Sequence, residues 1–154
     1  MSTPSVPSNR AAADWVPLLQ EVIRAEGHCR WPLRGDSMRP TLPADCEIDV
    51  VPLPPRVPLG SLVVFANGDT LVAHRLVRRA GGKWIAQGDN RRSPDGALNP
   101  AQVLGLVDAA YTPDQRRCWP PPFPGALAWF WVTRYHIYRA VRFAMRSLPW
   151  RFAG

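Results

Sequence analysis

The sequence predicts a mainly β fold framed by two helices, and three observations carry that reading. Its 154 residues include 18 prolines, clustered in Pro52-Leu53-Pro54-Pro55 and Pro120-Pro121-Pro122-Phe123-Pro124. Proline fixes φ and lacks a backbone N–H, so it stops helices and is confined to strand edges and turns. Short β-branched and aliphatic runs lie between Gly/Pro turns, as in Leu71-Val72-Ala73-His74-Arg75-Leu76-Val77, and such runs read as strands. A hydrophobic content of 46% suits one buried core and excludes wholesale disorder.

In chain order, residues 1–13 read as a disordered start, and a short helix is expected from about Asp14 to Glu26. Short strands then run from about Arg30 to Tyr111, making one domain over 14–112. The Gly81-Gly82 pair reads as a hairpin turn. A proline-rich hinge is expected over 113–124, and a basic amphipathic helix within 125–154, from about Gly125 to Leu148. There is no internal repeat and no phosphate-cradling loop. Cys29, Cys46 and Cys118 are an odd number without Cys-x-x-Cys or His-pair spacing, so they read as small buried or half-buried thiols, with neither a metal site nor a disulfide framework indicated.

Three segments carry chemistry. Arg34-Gly35-Asp36-Ser37-Met38-Arg39-Pro40-Thr41-Leu42 sets a serine in a Gly-Asp turn. The segment after it is expected to be extended, because the residue before a proline is pushed out of the helical region. The second segment holds His74, which period-two alternation puts on one strand face with Val72 and Leu76. The third, Gln87-Gly88-Asp89-Asn90-Arg91-Arg92-Ser93-Pro94-Asp95, is a turn-forming polar loop with two carboxylates. A serine hydroxyl becomes nucleophilic when a neighbouring base takes its proton, and imidazole is suited to that role. The imidazole in turn needs a carboxylate to fix its tautomer and stabilise the imidazolium. Chemistry alone does not separate Asp89 from Asp95 as that carboxylate.

In this order the three segments resemble the signal peptidase I superfamily, which includes the self-cleaving SOS repressors. The resemblance covers roughly residues 14 to 108. Gly35-Asp36-Ser37-Met38-Arg39-Pro40-Thr41-Leu42 looks like the nucleophile box, and Gly88-Asp89-Asn90 followed by Asp95 looks like the last box. Pro58-Leu59-Gly60-Ser61-Leu62-Val63-Val64-Phe65 resembles the intervening strand, with Ser61 where the family usually has an acid. Ala73-His74-Arg75-Leu76-Val77 resembles the histidine-type box of the endoplasmic-reticulum and archaeal branch, as opposed to the Ser-Lys dyad of bacterial enzymes. Lys83 is the only lysine among 19 basic side chains and follows Gly81-Gly82, at a hairpin end.

The resemblance implies a compact signal-peptidase-like β fold and a serine endopeptidase. Ser37 is then the nucleophile, His74 the base, Asp95 the orienting carboxylate and Asp89 a supporting acid. The Ser37 N–H serves the oxyanion, and Met38 and Pro40 are expected to bind substrate. Gly35 stands where bacterial enzymes can place a hydroxyl, so a second oxyanion donor must come from elsewhere. The implied substrate is an extended peptide or preprotein that adds as a strand beside the sheet, cut after small residues. No metal or organic cofactor is implied. Two other readings stay open: a self-cleaving regulatory peptidase, for which Ala11-Ala12-Ala13 is a candidate cut site, and a catalytically silent peptide- or membrane-binding module.

The net charge of +7 favours an anionic partner. The segment before Ser37 carries Asp14, Glu21, Arg24 and Glu26, so it reads as neither a spanning helix nor a secretory signal, although signal peptidases usually carry an N-terminal anchor. The longest uncharged stretch, Cys118 to Thr133, is short and holds four prolines. Beyond it, Arg134, Arg139, Arg142 and Arg146 fall within about 140° of one helical face, opposite Phe130, Ile137, Ala140, Val141, Phe143, Ala144 and Leu148. Trp129, Trp131, Tyr135, Tyr138 and Trp150 add aromatics suited to an interface. A basic amphipathic helix of this kind suits an anionic membrane surface, so the protein is expected to be peripheral at a membrane or cytoplasmic. Nucleic acid is disfavoured, since the short helix before Ser37 leaves no room for a helix-turn-helix.

Overall fold

The run Leu62-Val63-Val64-Phe65 has no polar alternation, so a strand there must bury both of its faces. The computed structural model, which describes residues 12–121 and 124–147, places this run near the middle of a seven-stranded antiparallel sheet. The elements are α1 (Ala12–Glu26), β1 (Cys29–Pro32), β2 (Glu47–Val51), β3 (Leu62–Asn67), β4 (Thr70–Ala80), β5 (Lys83–Gln87), a 3₁₀ turn (Pro100–Gln102), β6 (Val103–Tyr111), β7 (Arg117–Trp119) and α2 (Pro124–Ser147). The strand order is β1-β2-β6-β3-β4-β5, with β7 paired to β6.

Each face of the sheet carries a core. Leu62 and Val64 point into one cluster with Ile48, Val50, Leu104, Val107 and Ile23. Val63 and Phe65 point into the other with Val57, Leu76 and Ala86. Helix α1 covers the first face, because Val16, Leu19 and Ile23 recur at helical spacing and are buried or half-buried. The Gln20 amide also donates to the carbonyl of Val103 at 2.9 Å.

Three expectations need correction. Ala12 and Ala13, expected in the disordered start, open α1; residues 1–11 lie outside the described residues. The expected hinge at 113–124 contains β7, because Trp119 is buried in the first core and draws the chain back onto β6. The sheet domain therefore runs past 112. The segment after Ser37 is a tight turn where an extended chain was expected: the Arg39 N–H donates to the Asp36 carbonyl at 3.0 Å and the Leu42 N–H to the Met38 carbonyl at 3.0 Å. Two local hydrogen bonds and the burial of Met38 and Leu42 hold the segment in this turn. Helix α2 packs on the domain through its first three turns, where Leu127, Trp131 and Tyr135 are half-buried or buried, while every residue from His136 to Arg146 is exposed. Leu148 and Trp150 lie outside the described residues.

Candidate active site

Strand β4 supplies the centre of the site. Its alternation places His74 on the same side as Leu76 and Val72, against the edge of the Phe65 ring, with centroids 5.9 Å apart. His74 is buried, at 4% exposure. A buried imidazole needs partners for both ring nitrogens, and both are present. Nε2 lies 3.0 Å from Ser37 Oγ, and Nδ1 lies 2.6 Å from Asp95 Oδ2. Ser37, His74 and Asp95 thus form an unbroken Oγ–imidazole–carboxylate line drawn from three separate segments.

The two carboxylates that chemistry alone left open are separated by geometry. Asp95 meets the histidine. Asp89 turns the other way and takes a bidentate pair from Arg75, with Nε at 2.9 Å from Oδ1 and a terminal nitrogen at 2.6 Å from Oδ2. The Thr41 hydroxyl also donates to Asp89. Both partners of this pair are buried, Arg75 at 0% and Asp89 at 5% exposure. The remaining guanidinium nitrogen donates to the Gly60 carbonyl at 2.7 Å, and Trp119 packs 5.8 Å from the guanidinium. The fork geometry of arginine satisfies both carboxylate oxygens at once, which is what lets a charge pair sit in a core.

The turn that Asp89 anchors holds the serine. The Asn90 N–H donates to the Ser37 carbonyl at 2.8 Å, and the Asn90 amide to the Asp36 carbonyl at 3.2 Å. Gly88 lies so close that a Cβ there would meet the Ser37 carbonyl oxygen at 2.6 Å and His74 Nε2 at 3.1 Å. Only a residue without a side chain lets this turn reach both. Among the described residues no hydrogen bond engages the Ser37 N–H, and its carbonyl is held by Asn90, so the N–H is available to a bound oxygen. Gly35 N–H is used elsewhere, donating to Asp45 at 3.3 Å.

Around Ser37 opens a cleft of about 270 Å³ lined by Arg34, Asp36, Asn67, Val72, Arg91 and Ser93, with His74 and Asp95 at its base. Arg34, Arg91 and Asn67 bring side-chain N–H donors to that cleft. Two expected substrate residues are placed differently. Met38 is buried in the core at 2% exposure, and Pro40 is exposed but does not line the cleft. Burial of Met38 anchors the Ser37 turn from behind. Lys83 begins β5 opposite Ala80, exposed at a hairpin end and outside the cleft. No group of three or more His, Cys, Asp or Glu side chains among the described residues is placed to hold a metal ion.

The sequence reading missed Arg75, Asn90 and the contact role of Gly88. An arginine inside an apolar strand followed by an aspartate in the next loop is the available signal for a buried pair, and it is weak without the fold. Comparison of the sequence with family models and with curated proteins finds no match.

Proposed function

We propose that this protein is a serine endopeptidase of the histidine type, resembling signal peptidase I, that acts on an extended peptide. The observation that carries the reading is the Ser37–His74–Asp95 line, at 3.0 and 2.6 Å. His74 Nε2 takes the Ser37 proton as Oγ attacks the scissile carbonyl. Asp95 holds Nδ1–H and offsets the charge on the imidazolium. The Ser37 N–H faces the developing oxyanion, with a second donor supplied from the cleft wall. The imidazolium then protonates the leaving amine, and a water repeats the sequence in reverse to free Ser37.

A peptide has a strand edge to join. Pairing of β5 with β4 starts at Gln87 opposite Arg75, so among the described residues, residues 70–74 pair only with β3, and Val72 lies in the cleft wall. Strand addition there gives backbone recognition with side-chain pockets for alternate residues. Self-cleavage at Ala11-Ala12-Ala13 is less favoured, because Ala12 and Ala13 open α1 and a helical turn must unwind before it can lie beside a strand; Ala11 lies outside the described residues.

The test is labelling by a fluorophosphonate together with cleavage of an extended peptide carrying small residues at the first and third positions before the cut. Wild type should react and cleave, Ser37→Ala and His74→Ala should do neither while keeping their far-UV spectrum, and Lys83→Ala should match wild type. A wild-type protein that neither labels nor cleaves leaves the silent binding module as the reading. Cleavage by His74→Ala with loss in Lys83→Ala would hand the base role to lysine.

A further inference from the structure

We infer that the solvent face of α2, together with Arg91 and Arg92, docks on an anionic bilayer surface. Helix α2 leaves large apolar side chains in water: Trp129 is 71% exposed, and Phe130, Ile137, Tyr138 and Val141 about half. An apolar patch of this extent on one helix marks an interaction site and not ordinary surface scatter. No helix among the described residues is long and apolar enough to cross a membrane, so the surface is one that lies on a bilayer and does not span it.

Charge decides the occupant. Helix α2 carries four arginines and no acidic residue. Arg134 is engaged, donating to the Asp89 carbonyl at 3.1 Å and stacking 4.8 Å from Trp131. Arg139, Arg142 and Arg146 are exposed on the side of the helix away from Ile137 and Val141. Two copies meeting through the Ile137–Val141 face would bring Arg91 and Arg92 of each, which flank it, toward their counterparts, with nothing acidic on the helix to offset them. A polyanion without apolar character would leave the aromatic and aliphatic stripe uncovered. An anionic lipid surface meets both demands, apolar at depth and negative at the headgroups.

The fold adds what a helical wheel cannot show. A groove of about 500 Å³ runs between α2 and the catalytic loop, with Phe130, Ile137 and Val141 on one bank and Gly88, Arg91 and Arg92 on the other. Arg91 also lines the Ser37 cleft. The docking surface and the cleft are therefore contiguous, and a docked protein opens its cleft at headgroup level. The docking stands apart from the peptidase reading; only its consequence, a peptide substrate presented at a bilayer surface, rests on that reading.

The experiment is co-sedimentation of the full chain with vesicles of phosphatidylcholine alone or containing about 30% phosphatidylglycerol. Wild type should sediment with the anionic vesicles at low salt and be released as salt shortens the Debye length from about 10 Å toward about 3 Å. The double variant Ile137→Asp/Val141→Asp should lose binding by roughly tenfold or more. The triple variant Arg139→Gln/Arg142→Gln/Arg146→Gln should lose on the order of a hundredfold, at roughly fivefold per arginine. All five positions are exposed, and thermal melts of the variants check folding. Should a variant unfold, the lipid-composition and salt arms of the wild type still decide. Failure of wild type to sediment at low salt, or equal sedimentation with neutral vesicles, overturns the inference. So does a concentration-dependent dimer abolished by Ile137→Asp/Val141→Asp, which would make the face an interface between copies. Ser37→Ala should bind vesicles as wild type does, so loss of the peptidase reading leaves this result untouched.

Discussion

His74 and Arg75 are neighbours in sequence and face opposite ways, and the site depends on that. One side of β4 offers the imidazole to Ser37 and Asp95; the other buries a guanidinium on Asp89. The two aspartates should therefore respond differently to the same substitution. In the proposed mechanism Asp95→Asn removes the orienting charge and should lower kcat by roughly a thousandfold or more, with little change in Tm. Asp89→Asn leaves Arg75 buried without its counter-charge and should cost about 3 kcal/mol of stability, read as a fall in Tm, with any loss of turnover following from the loosened Gly88–Asn90 turn. Full turnover in Asp95→Asn would reduce the site to a Ser-His pair. The thiols respond to burial in a third way. Burial, with Cys118 adding to it, pushes the Cys46 thiol up to about 11, so folding favours the protonated form. That contribution to stability is fully present below the unfolded value and lost as pH rises through about 11. Iodoacetamide at pH near 8 should alkylate Cys46 only when the protein is unfolded; fast alkylation of the native protein would contradict its burial.

At the scale of elements, two glycines set how closely loops approach their neighbours. A Cβ on Gly60 would lie 2.4 Å from the Cβ of Ala128, so this loop is where α2 rests on the sheet domain. Gly60→Ala should cost about 2 kcal/mol and make the chain around Arg134 more open to trypsin, while Ser37 keeps its fluorophosphonate reactivity. Gly88→Ala strikes the site itself. Its new methyl group would meet the Ser37 carbonyl and crowd His74 Nε2, and misplacement of about 1 Å can cost roughly a hundredfold in rate. Gly88→Ala should thus lower kcat far more than it lowers Tm. Equal and small effects of the two substitutions on rate would show that the Gly88–Asn90 turn tolerates displacement. Arg134 ties the two elements together, since it reaches from α2 to the carbonyl of Asp89, the residue beside Gly88.

The whole molecule divides into a sheet with a core on each face and a helix that leaves it. From His136 to Arg146 each residue of α2 is exposed, so few buried contacts oppose local opening there. Trypsin should cut first after Arg139, Arg142 and Arg146 and leave a resistant fragment containing β1 to β7, identified by mass spectrometry. Initial cleavage within the sheet would contradict this division. Anionic vesicles should slow the cuts in α2 if that helix docks on them.

Local pattern was enough for much of this. Proline clusters and β-branched runs announced a mainly β chain with a helix at either end, because backbone preferences act over a few residues. Period-two alternation placed His74 with Val72 and Leu76, because a strand has no other way to arrange side chains. The order of three segments singled out Ser37, His74, Asp89 and Asp95 as the residues to examine. Tertiary structure alone decided the rest. Which aspartate meets the imidazole depends on where the loop after β5, residues 88–95, turns back over β4, and packing settles that. Trp119 made a strand from a stretch that prolines suggested was a hinge, because burying an indole outweighs local propensity. Met38 went into the core for the same reason. Finally, Arg91, Gly88 and the apolar face of α2 share one groove although more than thirty residues separate them in sequence. Long-range placement of this kind is fixed by how α2 fits against the sheet domain and the loop that follows β5, with Ala128 against Gly60 and Arg134 on the Asp89 carbonyl, and no local pattern encodes it.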